Sequence, residues 1–375
     1  MADKKKQHYI PRFYLKNFSL NNSERAIRIF NLASSKFIPS GNLKDQAYKN
    51  YFYGRDLKLE NALGILEGIS AKVIRDIVAQ NSVPAKGSQD YSTLLLFIIS
   101  LSYRTPYRVE QLNELADKFA KAALSKESSA QPLLNDCRFV MSDPIQVAIR
   151  NATLYLPLAL DLGLKVAINK TQEFFITSDH PVVLYNQFLE PRKKYGSNTG
   201  LACKGLEIFL PISPRHLLIL FDRDVYGVGN RNDVVIDVTN GADVKALNLL
   251  QCISANENLY FNEEISEAQI RYLMNHANRR RREAKANVDE YVNSKTDEEM
   301  RFLLHLYGAD VKCSLSLSFI RLLKKAKQYI LGDKVLHVRD PRRCKLLEQF
   351  AEQVKKGKYR ASDFQKFLRD ASGLT

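Results

Sequence analysis

The chain of 375 residues carries 56 Lys and Arg against 41 Asp and Glu, a net charge of +15, and 45% of its residues are apolar. That is an ordinary globular balance. It excludes a disordered polyelectrolyte and suits two or three domains. No stretch approaches the ~20 apolar residues of a membrane-spanning helix, and the Met-Ala-Asp-Lys-Lys-Lys opening lacks the apolar core of a signal peptide. A cytoplasmic protein with no membrane contact is therefore expected. The charge is uneven: His276–Thr375 holds 23 Lys and Arg against 13 Asp and Glu, leaving only +5 for the first 275 residues. Such a field favours polyanions, of which nucleic acid is the commonest.

In chain order, Pro11 opens a short helix over Pro11–Phe18. Ala26–Leu32 and Lys36–Pro39 flank an Asn/Ser-rich break and read as a hairpin, with Tyr48–Tyr53 as a third strand. Leu59, Leu63, Leu66, Val73 and Ile77 recur at spacings of three, four and seven, which predicts a helix from about Asp56 to Gln80. Tyr91–Tyr103 is apolar nearly all round and is expected to be central. Thr105 caps and Pro106 starts the next helix, to about Leu124. Lys126–Leu134 reads as a loop and Pro144–Leu160 as a helix.

From Gly163 the pattern turns to strands: Leu164–Asn169, Glu173–Ser178, an extended Pro181–Tyr185, and Leu206–Pro211 with His216–Phe221 around the turn residues Ile212–Arg215. Helix returns over Gly241–Ala255 and is expected from Ser266 to the end. The fold class is thus α+β: a mostly helical body with a small antiparallel sheet over 1–265, and a basic all-helical region over 266–375. The five cysteines are scattered, lack C-x-x-C spacing, and read as inert and mostly buried.

Several segments resemble the bacterial domain of unknown function 4238 family over roughly residues 6–262. They are Gln7–Phe18, the acidic helix with Glu60 and Glu67, Arg104-Thr105-Pro106, Phe175–Val182 with its Thr-Ser-Asp-His-Pro core, Pro211–Pro214, and Asn248. The resemblance implies no activity, but it directs attention to these residues; the tail beyond about residue 265 lies outside it.

Asp179 and His180 lie where a strand ends, and Pro181 restricts the backbone of His180. A carboxylate beside an imidazole offers an acid/base pair or two metal ligands, against the plainer reading of an Asx turn with a packed histidine. Glu60 and Glu67, seven apart, share one helix face, beside Gly64 and Gly68. His8 is a further candidate, which the resemblance singles out. Arg12 reads as a phosphate or carboxylate clamp. Arg104, ending an apolar helix, needs a carboxylate partner, for which Glu60, Glu67 and Asp179 are candidates. Asn248 is a substrate-binding candidate or a buried hydrogen-bonding residue. Arg279, Arg280, Arg281 and Arg282 wrap around a helix, and with Lys324, Lys325, Arg342 and Arg343 they offer phosphate contacts.

Walker, Rossmann, zincin and G-x-S-x-G signatures are missing from the sequence. The leading expectation is a nucleic-acid-processing enzyme, most simply a nuclease dependent on Mg or Mn, of the kind used in bacterial defence or as a toxin. In that reading Asp179, His180, Glu60 and Glu67 serve as metal ligands. These residues and His8 would be catalytic, with Arg12 and Arg104 orienting phosphate. The alternatives are a non-catalytic nucleic-acid-binding or assembly protein, and an enzyme on a small phosphorylated or carboxylated metabolite.

Overall fold

The computed structural model describes residues 5–125, 134, 136–192, 196–295, 300–331, 334, 335 and 337–372. Its helices are α1 (Arg12–Lys16), α2 (Lys58–Gln80), α3 (Gln89–Tyr103), α4 (Pro106–Leu124), α5 (Pro144–Tyr155), α6 (Gly241–Ser254), α7 (Glu267–Asn278), α8 (Pro341–Lys355) and α9 (Phe364–Ser372). The loop expected at Lys126–Leu134 falls, except for Leu134, outside the described residues.

Two sheets organise the body. The larger runs Val235–Val238, Gly163–Asn169, His216–Phe221, Glu207–Ser213, Val183–Tyr185, antiparallel except for its first pair. Its side chains alternate between two apolar surfaces. Leu164, Val166, Ile208, Leu210, Leu218 and Leu220 pack with α1, α2 and α3. Ala167, Phe209, Leu217, Ile219 and Phe221 pack with α6 and α7 on the other side. Burial on both faces explains why these strands read as near-continuous apolar runs.

The second sheet runs Lys36–Asn42, Ala26–Asn31, Asn258–Phe261, Thr177–Ser178, all antiparallel. The expected hairpin is present, but Tyr48–Asn50 pairs with Lys6–His8 instead of adding a third strand. Of the expected strand Glu173–Ser178, only Thr177–Ser178 pairs. Asn248 of α6 explains this: its Nδ2 donates to the Phe174 carbonyl (2.8 Å) and its Oδ1 accepts the Ile176 amide (3.0 Å). These bonds replace a strand partner.

The tail departs most from expectation. Beyond α7, Ala286–Lys295 pairs antiparallel with Met300–Gly308, with Val288 in register with Leu306 and Val292 with Phe302, an even spacing along the strand. Local charge had masked that alternation. Ile320–Leu322 pairs with Tyr226–Val228 of the body. Ile265, Ile270, Leu273, Met274, Val311, Leu315 and Leu317 join the same apolar cluster as α6, so the boundary expected near 265 runs through shared packing.

Helices α8 and α9 dock on Leu154 of α5 through Leu347, Phe350, Val354, Phe364 and Phe367. Arg339 fixes this attachment. It pairs with Asp161 at 2.7 Å and donates to the carbonyls of Leu201 and Cys203 (2.8 and 2.9 Å) and of Leu158. Among the cysteines only Cys252 is fully buried, and Cys137 is exposed. No helix among the described residues is long and apolar enough to cross a membrane.

Glu207, the first residue of a strand in the larger sheet, is fully buried and accepts from the Gln187 side chain and amide (2.8 and 3.2 Å). Burial pushes its carboxyl up to about 8, against the pull of those two bonds. The folded protein therefore binds this proton where the unfolded chain has released it, and the group's contribution to stability falls as pH rises from about 4.5 to about 8. Glu207→Gln should flatten that decline, as measured by urea denaturation at several pH values.

Candidate functional site

The Thr-Ser-Asp-His-Pro segment is the crossover between the two sheets: Thr177–Ser178 lies in one and Val183–Tyr185 in the other. The bend is tied down along its length. The Asp179 carboxylate is buried and accepts the amides of Asn256 and Glu257 (2.8 and 2.7 Å), while its own amide donates to the Asn258 carbonyl (3.0 Å). Gln251 of α6 donates to the Pro181 carbonyl (2.7 Å) and accepts from Ser178 Oγ (3.1 Å). Burial raises the Asp179 pKa to about 6 despite the amide bonds. Asp179 is thus occupied with the backbone entering strand Asn258–Phe261.

His180 turns to the other side. Its Nδ1 lies 2.8 Å from Thr105 Oγ1, and its ring stacks on Tyr107 with centroids 4.5 Å apart. Thr105, the N-cap of α4, is fully buried and accepts the Arg108 amide (3.4 Å); among the described residues His180 Nδ1 is the acceptor its hydroxyl hydrogen meets, so that hydrogen goes to Nδ1. This pattern assigns the proton of the neutral ring to Nε2. Burial, then the charges of Arg282 and Arg108, push His180 down to about 3, which keeps it neutral. The expected Asp179–His180 acid/base pair is therefore replaced by a structural carboxylate and a hydrogen-bond donor.

His180 lines a cavity of about 450 Å³, the size that holds one small ligand. Its walls come from the start of α4, Val182–Leu184, the loop 196–203, Ser254, Arg282, the strand end His305–Ala309, and His337–Val338. Arg282 donates to the Ala309 carbonyl and lies 5.1 Å from the Tyr107 ring centre. Arg108 covers Tyr103 at 4.2 Å. Three buried polar atoms on lining residues have no hydrogen-bond partner among the described residues: Tyr107 Oη, Arg108 Nε and Ser254 Oγ. None of the described lining residues is Asp or Glu. The N-terminus of α4 adds its partial positive charge.

The remaining candidates gather elsewhere. His8, Arg12, Phe13, Glu60, Gly64, Glu67 and Gly68 line an open groove of about 320 Å³ between α1 and α2. His8 Nε2 donates to the Lys44 carbonyl (3.1 Å), and burial, the largest influence, lowers its pKa. Glu67 pairs with the buried Arg104 at 2.8 Å, which identifies the carboxylate partner expected for that arginine. Asp179 lines neither the groove nor the cavity. The four expected metal ligands do not meet, and among the described residues no three His, Cys, Asp or Glu are grouped to hold a metal ion.

The basic run divides as well. Helix α7 stops at Asn278, so Arg279–Arg282 do not wrap around it. Arg281 caps α6 through the carbonyls of Cys252 and Ala255 (2.9 and 2.8 Å), and Arg343 bonds the Pro157 carbonyl (3.2 Å). Arg279, Arg280, Lys324, Lys325 and Arg342 are exposed, with Lys325 paired to Asp224. Sequence reasoning missed Tyr107, Arg108, Ser254, His305 and His337. Only Arg108 carried a signal, as a cation in the first turn of a helix, where the dipole disfavours it.

These features define an α+β protein with a cationic cavity, lined by no carboxylate among the described residues, where its body meets its C-terminal segment. The chain belongs to the family described as Protein of unknown function (DUF4238), whose model matches residues 6–264. No curated protein and no solved structure matches it.

Asp179→Ala should destabilise the fold by about 3 kcal/mol, because it removes the buried acceptor of two backbone amides and leaves a cavity in its place. Thermal denaturation checks this. Asp179→Asn should recover part of the loss.

Proposed function

We propose that this protein binds nucleic acid, with a phosphate group seated in the cavity beside His180. The observation that supports this reading is two guanidinium groups and a neutral imidazole donor lining a cavity with no carboxylate among its described lining residues; three buried polar atoms of the lining residues also lack a partner among the described residues. Unpaired buried polar groups call for a polar ligand, and surplus positive charge selects an anion. Arginine forks and N–H donors match phosphate oxygens. The exposed Arg279, Arg280, Lys324 and Arg342 add non-specific attraction.

Binding without catalysis is favoured over metal-dependent cleavage. Asp179 accepts two backbone amides and Glu67 pairs with Arg104, so neither is arranged as a base or an ion ligand with His180.

Fluorescence anisotropy with labelled single-stranded DNA and RNA should show affinity falling steeply with salt. Arg108→Ala and Arg282→Ala should each weaken binding by about tenfold and reduce the salt slope by about 1. Incubation with Mg²⁺ or Mn²⁺ should leave both nucleic acids intact; cleavage that survives further purification overturns the binding-only reading.

A further inference from the structure

The cavity walls are bonded one to the next, and that arrangement restricts what can enter. On one side Gln111 Nε2 of α4 donates to the Lys285 carbonyl (2.8 Å), and Lys285 donates its amide to Glu114 (2.9 Å). The strand ending at Gly308 lies so close that a Cβ there would meet Gln111 Nε2 at 2.6 Å. Asp310, just beyond, accepts from Ser197 Oγ, the Asn198 amide and Thr199 Oγ1 (2.8, 2.7 and 2.9 Å), which latches the loop 196–203 to this wall. That loop in turn bridges Val338 through Cys203, and Lys204 donates its amide to the His337 carbonyl (2.6 Å). His180 and Val182–Leu184 line the cavity between these walls.

The two tyrosine rings at the start of α4 are also committed. Tyr107 has His180 stacked on it and Arg282 near its ring, and Arg108 covers Tyr103. Neither of these rings is free to alternate with successive bases, as a groove for a running strand requires. Arg108, Arg282 and His180 Nε2 on the cavity lining are donors that suit a compact anion with several acceptor oxygens.

We infer that the cavity is a phosphate-monoester site, which accepts the phosphorylated end of a nucleic-acid strand or a free nucleotide and excludes an internal phosphodiester. This rests on the phosphate reading above and narrows it. A monoester presents three non-bridging oxygens and close to two charges near neutral pH. An internal phosphodiester presents two such oxygens and one charge, and brings a chain on both sides that the joined walls obstruct. The part beyond the family match supplies Arg282, His305–Ala309 and His337, so it determines the ligand as much as the family region does.

The test uses the full-length wild-type chain and compares four probes by calorimetry or competition. They are a short oligonucleotide with a 5′- or 3′-phosphate, the same oligonucleotide with hydroxyl ends, a nucleoside monophosphate, and its nucleoside. Phosphorylated ends binding about tenfold or more tighter than hydroxyl ends, with the preference lost in Arg108→Ala/Arg282→Ala, establishes the site with the strand end as its source. Binding of the monophosphate but not the nucleoside, with oligonucleotides failing to compete, also supports the site. That result names the free nucleotide as the source and overturns the nucleic-acid reading. Equal affinity for phosphorylated and hydroxyl ends, with no binding of the monophosphate, overturns the inference even when nucleic acid binds.

Discussion

The acceptance of two backbone amides by one buried carboxylate, Asp179, organises much of this molecule. It joins the crossover between the two sheets to the start of Asn258–Phe261, a strand of the smaller sheet. The same bend sends the next side chain, His180, toward α4. A charged acceptor satisfying two donors at a buried corner is among the stronger local constraints a chain can make, and here it sets the direction of the histidine. The Gln251 bonds to Ser178 and Pro181 tie α6 to the same corner. Structure and site therefore meet at adjacent residues with opposite duties.

The two openings differ in their charges. In the α1/α2 groove the lining carboxylate Glu67 pairs with the buried Arg104, whose Nε and Nη2 have no partner among the described residues. In the cavity beside His180, cations lie against aromatic rings and carbonyls, with no lining carboxylate among the described residues. One opening thus carries both signs of charge along its lining, the other a single sign.

Much of the helical frame was legible. The spacing of Leu59, Leu63, Leu66, Val73 and Ile77 by three, four and seven, the Thr105 cap and the apolar run of α3 are local signals, and the structure bears them out. Strand partners were not legible: Tyr48–Asn50 meets Lys6–His8 rather than its neighbouring hairpin, and Asn258–Phe261 was overlooked as a strand. Pairing depends on contacts hundreds of residues apart, which no short window contains. The tail misled for a different reason. Its charge density suggested solvated helix, while the period-two alternation of Val288 and Val292 was weak against that background. For the site, sequence proximity suggested that Asp179 and His180 act together, and the bend at the strand end separates them.

The geography of the cavity also bears on when it comes into being. Its walls span positions 102 to 338, and the Asp310 latch joins a loop made early to a strand end made more than a hundred residues later. Domains generally fold as units during synthesis, N-terminal parts first. On the ribosome, the family region can assemble its sheets while this pocket still lacks Arg282 and its far wall. A growing chain thus carries an unfinished cavity, and its closure is deferred until nearly the whole polypeptide has emerged.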